Sequence, residues 1–303
     1  MIPKSTESLE KVLSFYLHSE DFAKLSGSTQ KSYYNYLHKV GDTKVGGKML
    51  KNYRVDTIKA SHLNTAYEGW VKTGVRTANY MKAALSVAWK YSLRKDVMTH
   101  DPVALIKTET ANSRRVKWEK EHIKKFLTVG YGDIKWRSIT LIVHMAYDWG
   151  QRVGDMRVLT WDRLDLTQCR LDLTQSKRGA EVHLPISAGL CKMLQQQKDD
   201  FGFQDFVAPR VVPQAGAYTP YNKEEISRLV NALLVEAKLP SKLTAMDLRR
   251  TAVTEMMEAG VDLAGIMQVT GHKNVASIKP YMVNTFSGAS KALSARGNDD
   301  EHS

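Results

Sequence analysis

The chain holds 303 residues, enough to bury a sizeable core and, by length, to form about two domains. Hydrophobic residues make up 43% and charged residues 25%, as in ordinary water-exposed folded proteins; no apolar run, the stretch Leu141 to Ala146 included, approaches the roughly 20 residues of a membrane-spanning helix, and Met1-Ile2-Pro3-Lys4 does not open a signal peptide. Lys and Arg outnumber Asp and Glu by 44 to 32, a net charge of +12 that disfavours cationic partners and favours a polyanion.

In chain order, Leu9, Val12, Leu13, Tyr16 and Leu17 follow helical spacing, and a second helix is expected to start at Ser28-Thr29 and to carry Tyr33, Tyr34, Tyr36 and Leu37. Tyr33 and Tyr36 read as core rather than as contacts to a partner. The segment Gly41 to Gly47 breaks the pattern. Ile58 to Trp70 predicts a third helix and Thr77 to Leu93 a fourth, its apolar stripe made by Met81, Ala84, Leu85, Ala88 and Trp89, with Asp101-Pro102 as the stop. Polar sequence through Lys107-Thr108-Glu109-Thr110 and Ser113-Arg114-Arg115 places a linker at 105–117, between a first domain at 1–104 and a second at 118–290. Residues 1–110 hold 17 basic and 10 acidic side chains, so the positive charge is concentrated in the first domain.

Helical spacing returns over Glu119 to Leu127 and Ile139 to Trp149, with His144 read as core. Trp161 to Leu166, Arg170 to Leu173 and Glu181 to Ile186 alternate as a short three-stranded sheet. Further helices are predicted over Leu190 to Lys198, Lys223 to Ala237, Asp247 to Ala259 and Leu263 to Thr270, and 291–303, with Asn298-Asp299-Asp300-Glu301, reads as a disordered acidic tail. The expected fold class is mainly α with a small β-sheet (α+β). Cys169 and Cys191 lack zinc-site spacing and read as free thiols of a reducing cytoplasm, and neither a metal nor a cofactor is expected.

The chemistry-bearing residues gather in the second domain. Gly150-Gln151-Arg152-Val153-Gly154-Asp155 follows an apolar run, Met246-Asp247-Leu248-Arg249-Arg250-Thr251 brings cations to a helix start, and Gly271-His272-Lys273-Asn274 precedes Pro280-Tyr281-Met282. A guanidinium presents paired donors that match the non-bridging oxygens of a phosphodiester, and an imidazole adds another. A tyrosine phenol can attack phosphorus and form a covalent ester, a role open on these grounds to Tyr218, Tyr221 and Tyr281. The set therefore points to phosphodiester cleavage.

In order and spacing these pieces resemble the tyrosine recombinase (phage integrase) family, strongly over 117–290 and more loosely over 5–110. The resemblance implies an N-terminal helical core-binding domain that binds DNA, marked by Thr77, Asn79 and Asp101, and a C-terminal tyrosine recombinase catalytic domain. It assigns Arg152 and Arg249 as the two catalytic arginines, Asp155 as a carboxylate that orients an arginine, and His272 as the histidine after glycine. The nucleophile of the family falls nine residues beyond that histidine, which selects Tyr281. Gln175-Ser176-Lys177-Arg178-Gly179 before Val182-His183-Leu184-Pro185-Ile186 looks like the family's lysine-bearing hairpin, which makes Lys177 the general acid. One departure stands out: where the family usually has a histidine, three residues before the second arginine, this chain has Met246, whose thioether carries no proton at neutral pH.

The implied activity is site-specific DNA recombination, integration or excision, through a 3′-phosphotyrosyl intermediate. The implied partner is double-stranded DNA carrying a specific site, clamped between the two domains of each subunit in a homotetramer, which an accessory DNA-bending protein can join; the setting is the cytoplasm, at the nucleoid, for a protein encoded by a bacterium, a phage or a mobile element. The chain is expected to lack the extra arm-binding domain of some phage integrases, and Phe286, Ala289 and Leu293 have the apolar spacing of a tail helix that docks on a neighbouring protomer. Two alternatives stay open: type IB topoisomerase-like activity, and a DNA-binding protein whose catalytic site is weakened by Met246.

Overall fold

The computed structural model describes residues 4–112, 116–177 and 179–278, together with residues 290, 293 and 294. The chain divides into two units, Met1–Ser113 and Arg114–Ser303.

Serines start the first helices. Ser8 caps α1 (Leu9–Leu17), Ser19 caps α2 (Glu20–Ala23) and Ser26 caps α3 (Gly27–Gly41), each accepting a first-turn N–H that the helix itself leaves without a partner. Within the predicted break at Gly41 to Gly47, the structure begins a hairpin of β1 (Lys44–Val45) and β2 (Lys48–Met49). Gly46 at φ +57° and Gly47 at φ +79° supply the two left-handed residues that such a tight turn requires. The next helices, α4 (Ala60–Thr73) and α5 (Val75–Arg94), meet at Gly74, whose φ of +145° suits glycine alone. The expected stripe of α5 is buried and packs against α1, α3 and α4.

The fourth helix ends at Arg94, one residue beyond the expected Leu93, and Asp96 turns into the left-handed region at φ +55°, ahead of the expected stop at Asp101-Pro102. The chain then stays on the first unit well into the expected linker at 105–117. Ile106 is buried in the first core, the Glu109 N–H donates to the Tyr67 hydroxyl at 2.8 Å, and Asn79 donates to the Glu109 carbonyl at 2.9 Å.

The buried core of the second unit starts at Trp118, whose backbone N–H donates to Thr251 Oγ1 and whose indole donates to the Thr244 carbonyl, both at 3.0 Å. It continues through α6 (Lys120–Tyr131), α7 (Ile134–Asp148) and α8 (Val153–Met156). An antiparallel sheet follows, β3 (Leu164–Asp165), β4 (Arg170–Thr174) and β5 (Glu181–Pro185), in that spatial order. Leu171 pairs with Leu184 and Leu173 with Val182, so one face of the sheet enters the core. Helices α9 (Ala188–Phe201), α10 (Lys223–Glu236), α11 (Leu248–Glu258) and α12 (Leu263–Thr270) complete the described part. Buried on nearly every side from Ser138 to Ala146, α7 is the central helix and packs against α6, α9, α10 and α11. The predicted sheet and helices of this unit are thus present, with shifted ends.

The loop before α10 is held by Arg210, which forks onto Glu225 and, with the Asn222 N–H, pulls that carboxyl down to about 2. Cys169 and Cys191 are free thiols with their sulfurs 3.3 Å apart. Among the described residues no helix is long and apolar enough to cross a membrane, and no cluster of three or more His, Cys, Asp or Glu could hold a metal ion. The nucleophile candidate Tyr281, the tail positions Phe286 and Ala289, and the expected acidic tail apart from Leu293 and Ser294 lie outside the described residues.

Where α6 meets α7, Gly130 leaves no room for a side chain: a Cβ there would stand 2.0 Å from Thr140 Oγ1 and 3.0 Å from Leu233. Gly130→Ala gains helix propensity, up to about 1 kcal/mol, but must displace a fully buried, β-branched neighbour. The clash wins, and urea unfolding is expected to show a net loss of about 2 kcal/mol for the second unit; an unchanged or higher midpoint would refute the close approach.

Candidate active site

Central helix α7 ends at Asp148, and Gly150, at φ +58°, turns the chain so that Gln151 points inward and Arg152 starts α8. Trp149 tethers this turn to the sheet by donating its indole N–H to the Pro185 carbonyl at 3.1 Å. On the opposite side, Asp247 accepts from the backbone and hydroxyl of Thr244 and fixes a 3₁₀ turn, Ala245–Asp247, that leads into α11. This sets Arg249 in the first turn of α11. A cation is disfavoured there by the helix dipole. Carbonyl oxygens offset the penalty: Arg249 Nη2 donates to Thr270 O at 2.7 Å and Nη1 to Gly150 O at 3.3 Å, with the side chain almost fully buried.

Helix α12 ends in a left-handed cap at Gly271, φ +65°, which directs His272 back toward Arg249. The Thr270 hydroxyl donates to Ile266 O at 2.6 Å, and His272 Nδ1 hydrogen-bonds that hydroxyl at 2.7 Å. His272 Nε2 lies 3.2 Å from Arg249 Nη2.

Arg152 is partly exposed, and its Nη1 donates to Gln175 Oε1 at 2.7 Å. Gln175 in turn donates to Gln151 Oε1 at 2.7 Å and to Thr270 O at 2.8 Å. Thr270 O therefore accepts from both Gln175 and Arg249, and the four sequence-predicted residues Arg152, Asp155, Arg249 and His272 belong to one bonded cluster. Asp155 serves the hairpin as much as the arginine: its Oδ1 accepts from the Ser176 N–H at 3.2 Å and from the Ser176 hydroxyl, while Oδ2 lies 3.8 Å from Arg152 Nη1.

Lys177 follows Ser176 on the β4–β5 turn with its side chain in solvent. Met246 lies on the 3₁₀ turn and is 87% exposed. A groove of about 420 Å³ separates the hairpin, at Gly179 to Glu181, from Met267, His272 and Lys273 at the end of α12. His144 stays outside the cluster: it hydrogen-bonds the Tyr131 hydroxyl at 2.9 Å, and burial lowers its pKa, in line with a core role. The sequence reading passed over Gln151, Gln175 and Thr270 as spacers within their motifs. Their signal was an amide at the edge of an apolar run, where a polar side chain must find a buried partner.

What the cluster can do follows from its donors. Two guanidinium groups and an imidazole converge beside a groove, with a lysine on an adjacent turn, an arrangement suited to neutralising a phosphate.

The chain is 21% identical over 310 residues to tyrosine recombinase XerC of Alcanivorax borkumensis, covering 98% of this chain and 99% of that protein. A shorter match, to XerC of Pelobacter propionicus, is 25% identical over 140 residues, 46% of this chain and 45% of the relative. Among solved structures, a lambda integrase tetramer bound to a Holliday junction superimposes with a TM-score of 0.74 at 16% identity, over 92% of this chain and 78% of that one. The model of the phage integrase family matches residues 118–287. The chain belongs to the phage integrase family.

Proposed function

We propose that the protein is a site-specific tyrosine recombinase that cuts and rejoins double-stranded DNA for integration or excision. The observation that carries the reading is the convergence of Arg152, Arg249 and His272 through buried hydrogen bonds to Gln175 and Thr270. In this reading residues 1–113 form the core-binding domain and the second unit the catalytic domain. Arg152 and Arg249 neutralise the non-bridging oxygens of the scissile phosphate, and His272 adds a hydrogen bond. The Tyr281 phenolate attacks phosphorus, the bond to the 5′ oxygen breaks, and Lys177 gives that oxygen its proton. The 3′-phosphotyrosyl ester retains the energy of the bond, so the 5′ hydroxyl of a second strand reverses the step and regenerates the phenol. Four subunits on two sites would carry the exchange through a Holliday junction, with an accessory DNA-bending protein as a further partner, in the cytoplasm at the nucleoid.

The test uses duplexes selected for binding from a random-sequence pool and then nicked, so that the released fragment diffuses away and the covalent adduct accumulates. Mass spectrometry should find the adduct on Tyr281. Strand transfer to a second duplex separates a recombinase from a topoisomerase-like enzyme, which relaxes plasmids without site dependence. Specific binding with no adduct would sink the catalytic reading in favour of a DNA-binding protein.

Met246 bears on that last outcome. An exposed thioether at the usual histidine position supplies neither a proton nor a strong acceptor. Met246→His is therefore expected to raise the rate of adduct formation, on the order of tenfold, with little change in stability at so exposed a site. Equal single-turnover rates for the two proteins would show that another group has already taken over the histidine's role.

A further inference from the structure

The side chains of Gln151 and Gln175 are 0% and 1% exposed, in a setting where an unpaired amide costs heavily. Each uses all of its amide donors. Gln151 Nε2 donates to Trp149 O at 2.9 Å and Val269 O at 2.6 Å, and its Oε1 accepts from Gln175. Gln175 Nε2 divides between Gln151 Oε1 and Thr270 O, which leaves Oε1 turned to Arg152. Reversing the Gln175 amide would set donors against the guanidinium and an acceptor against two oxygens, so the network admits one orientation.

We propose that Gln175 is a positioning residue for strand cleavage: a neutral amide that aims the Arg152 guanidinium at the scissile phosphate and ties its place to that of Arg249 through their common neighbour Thr270. The inference rests on the proposed recombinase reading and adds to it a residue outside the catalytic set. Neutrality matters. A carboxylate at this position would pair with Arg152 and cancel charge meant for the phosphate, whereas an amide oxygen holds the guanidinium and leaves its charge in place.

The glycine before His272 fits the same device. A Cβ at Gly271 would lie 2.7 Å from Gln175 Nε2, so the Gly-His pair makes room for the amide as well as for the left-handed turn. The turn that bears Lys177 is held separately by backbone bonds, Gln175 N–H to Ala180 O at 2.8 Å and Gly179 N–H to Gln175 O at 3.0 Å. Replacing the Gln175 side chain should therefore disturb Arg152 and spare the lysine.

The experiment measures adduct formation at saturating nicked duplex, selected as above, with either an ordinary phosphodiester or a methylphosphonate at the cleaved position. Gln175→Met keeps the volume and deletes the side-chain hydrogen bonds. On the phosphodiester it should slow adduct formation by about 100-fold with DNA affinity unchanged. The methylphosphonate lacks the charge that Arg152 meets, so there the deficit should shrink by about tenfold or more. Lys177→Ala, which affects the leaving oxygen, should keep its deficit on both substrates. An equal Gln175→Met deficit on the two substrates, or no deficit on the phosphodiester, overturns the proposal.

Should the wild type form no adduct, the recombinase reading itself fails, and the relay is decided in the free protein. Arg152→Lys must then shift the Gln175 side-chain NH₂ signals in a ¹H–¹⁵N spectrum. Unmoved signals refute it.

Discussion

Tyr281→Phe is expected to abolish covalent DNA attachment while leaving DNA affinity close to wild type. The substitution removes one oxygen, the proposed nucleophile, and none of the cations that make phosphate contacts. Loss of a covalent nucleophile costs on the order of 10⁶-fold in rate, which takes adduct formation below detection. Single-turnover cleavage of nicked duplex, with binding followed by gel shift, separates the two effects. The other two tyrosine candidates are poor substitutes. Tyr221 is buried, and that burial pushes its phenol up, away from the phenolate that attack requires. Tyr218 packs edge-on against Phe201 and Phe203. An adduct that persists in Tyr281→Phe and maps to either of them would overturn the assignment.

The second large effect is expected at Arg249. Its guanidinium bonds Gly150 O, Thr270 O and His272 Nε2 together. Arg249→Ala takes the charged donor from Gly150 O and leaves Thr270 O with the Gln175 amide alone, and is expected to cost about 3 kcal/mol of stability and about 10³-fold in cleavage. Arg249→Lys is the sharper test, because it keeps the charge and loses the planar fork. A single ammonium cannot span both carbonyls and a phosphate, so Lys should retain much of the stability and still lose about 100-fold in cleavage. Unfolding midpoints and adduct rates measured on the same preparations check the order. If the lysine variant cleaves like wild type, charge alone suffices and the geometry of the fork is irrelevant.

Much of this was legible in the chain. The apolar stripe of α5 and the alternation in β4 and β5 are local patterns, set by a 3.6-residue period and a two-residue period. Boundaries set by distant contacts were harder to read. The expected linker began at residue 105 because its sequence is polar, yet the Tyr67 hydroxyl and Asn79 hold the Glu109 backbone from far upstream. The hairpin at β1 and β2 escaped notice because each strand has only two residues, too few to show alternation.

By itself the sequence determined the class of chemistry: two arginines, a histidine, a lysine and a tyrosine in family order, in a basic chain suited to DNA. Which atoms meet was decided only by the tertiary structure. Arg152, Gln175, Arg249 and Thr270 stand up to 118 residues from their partners, as Gln151 does from Val269, and their contacts exist only once α7, α11, α12 and the hairpin pack. The placement of His272 between Thr270 and Arg249, the double role of Asp155 and the solvent-facing Met246 follow from that packing. A buried amide carries little local signal, since its identity is set by the donors and acceptors it must satisfy, and folding alone brings these within about 3 Å.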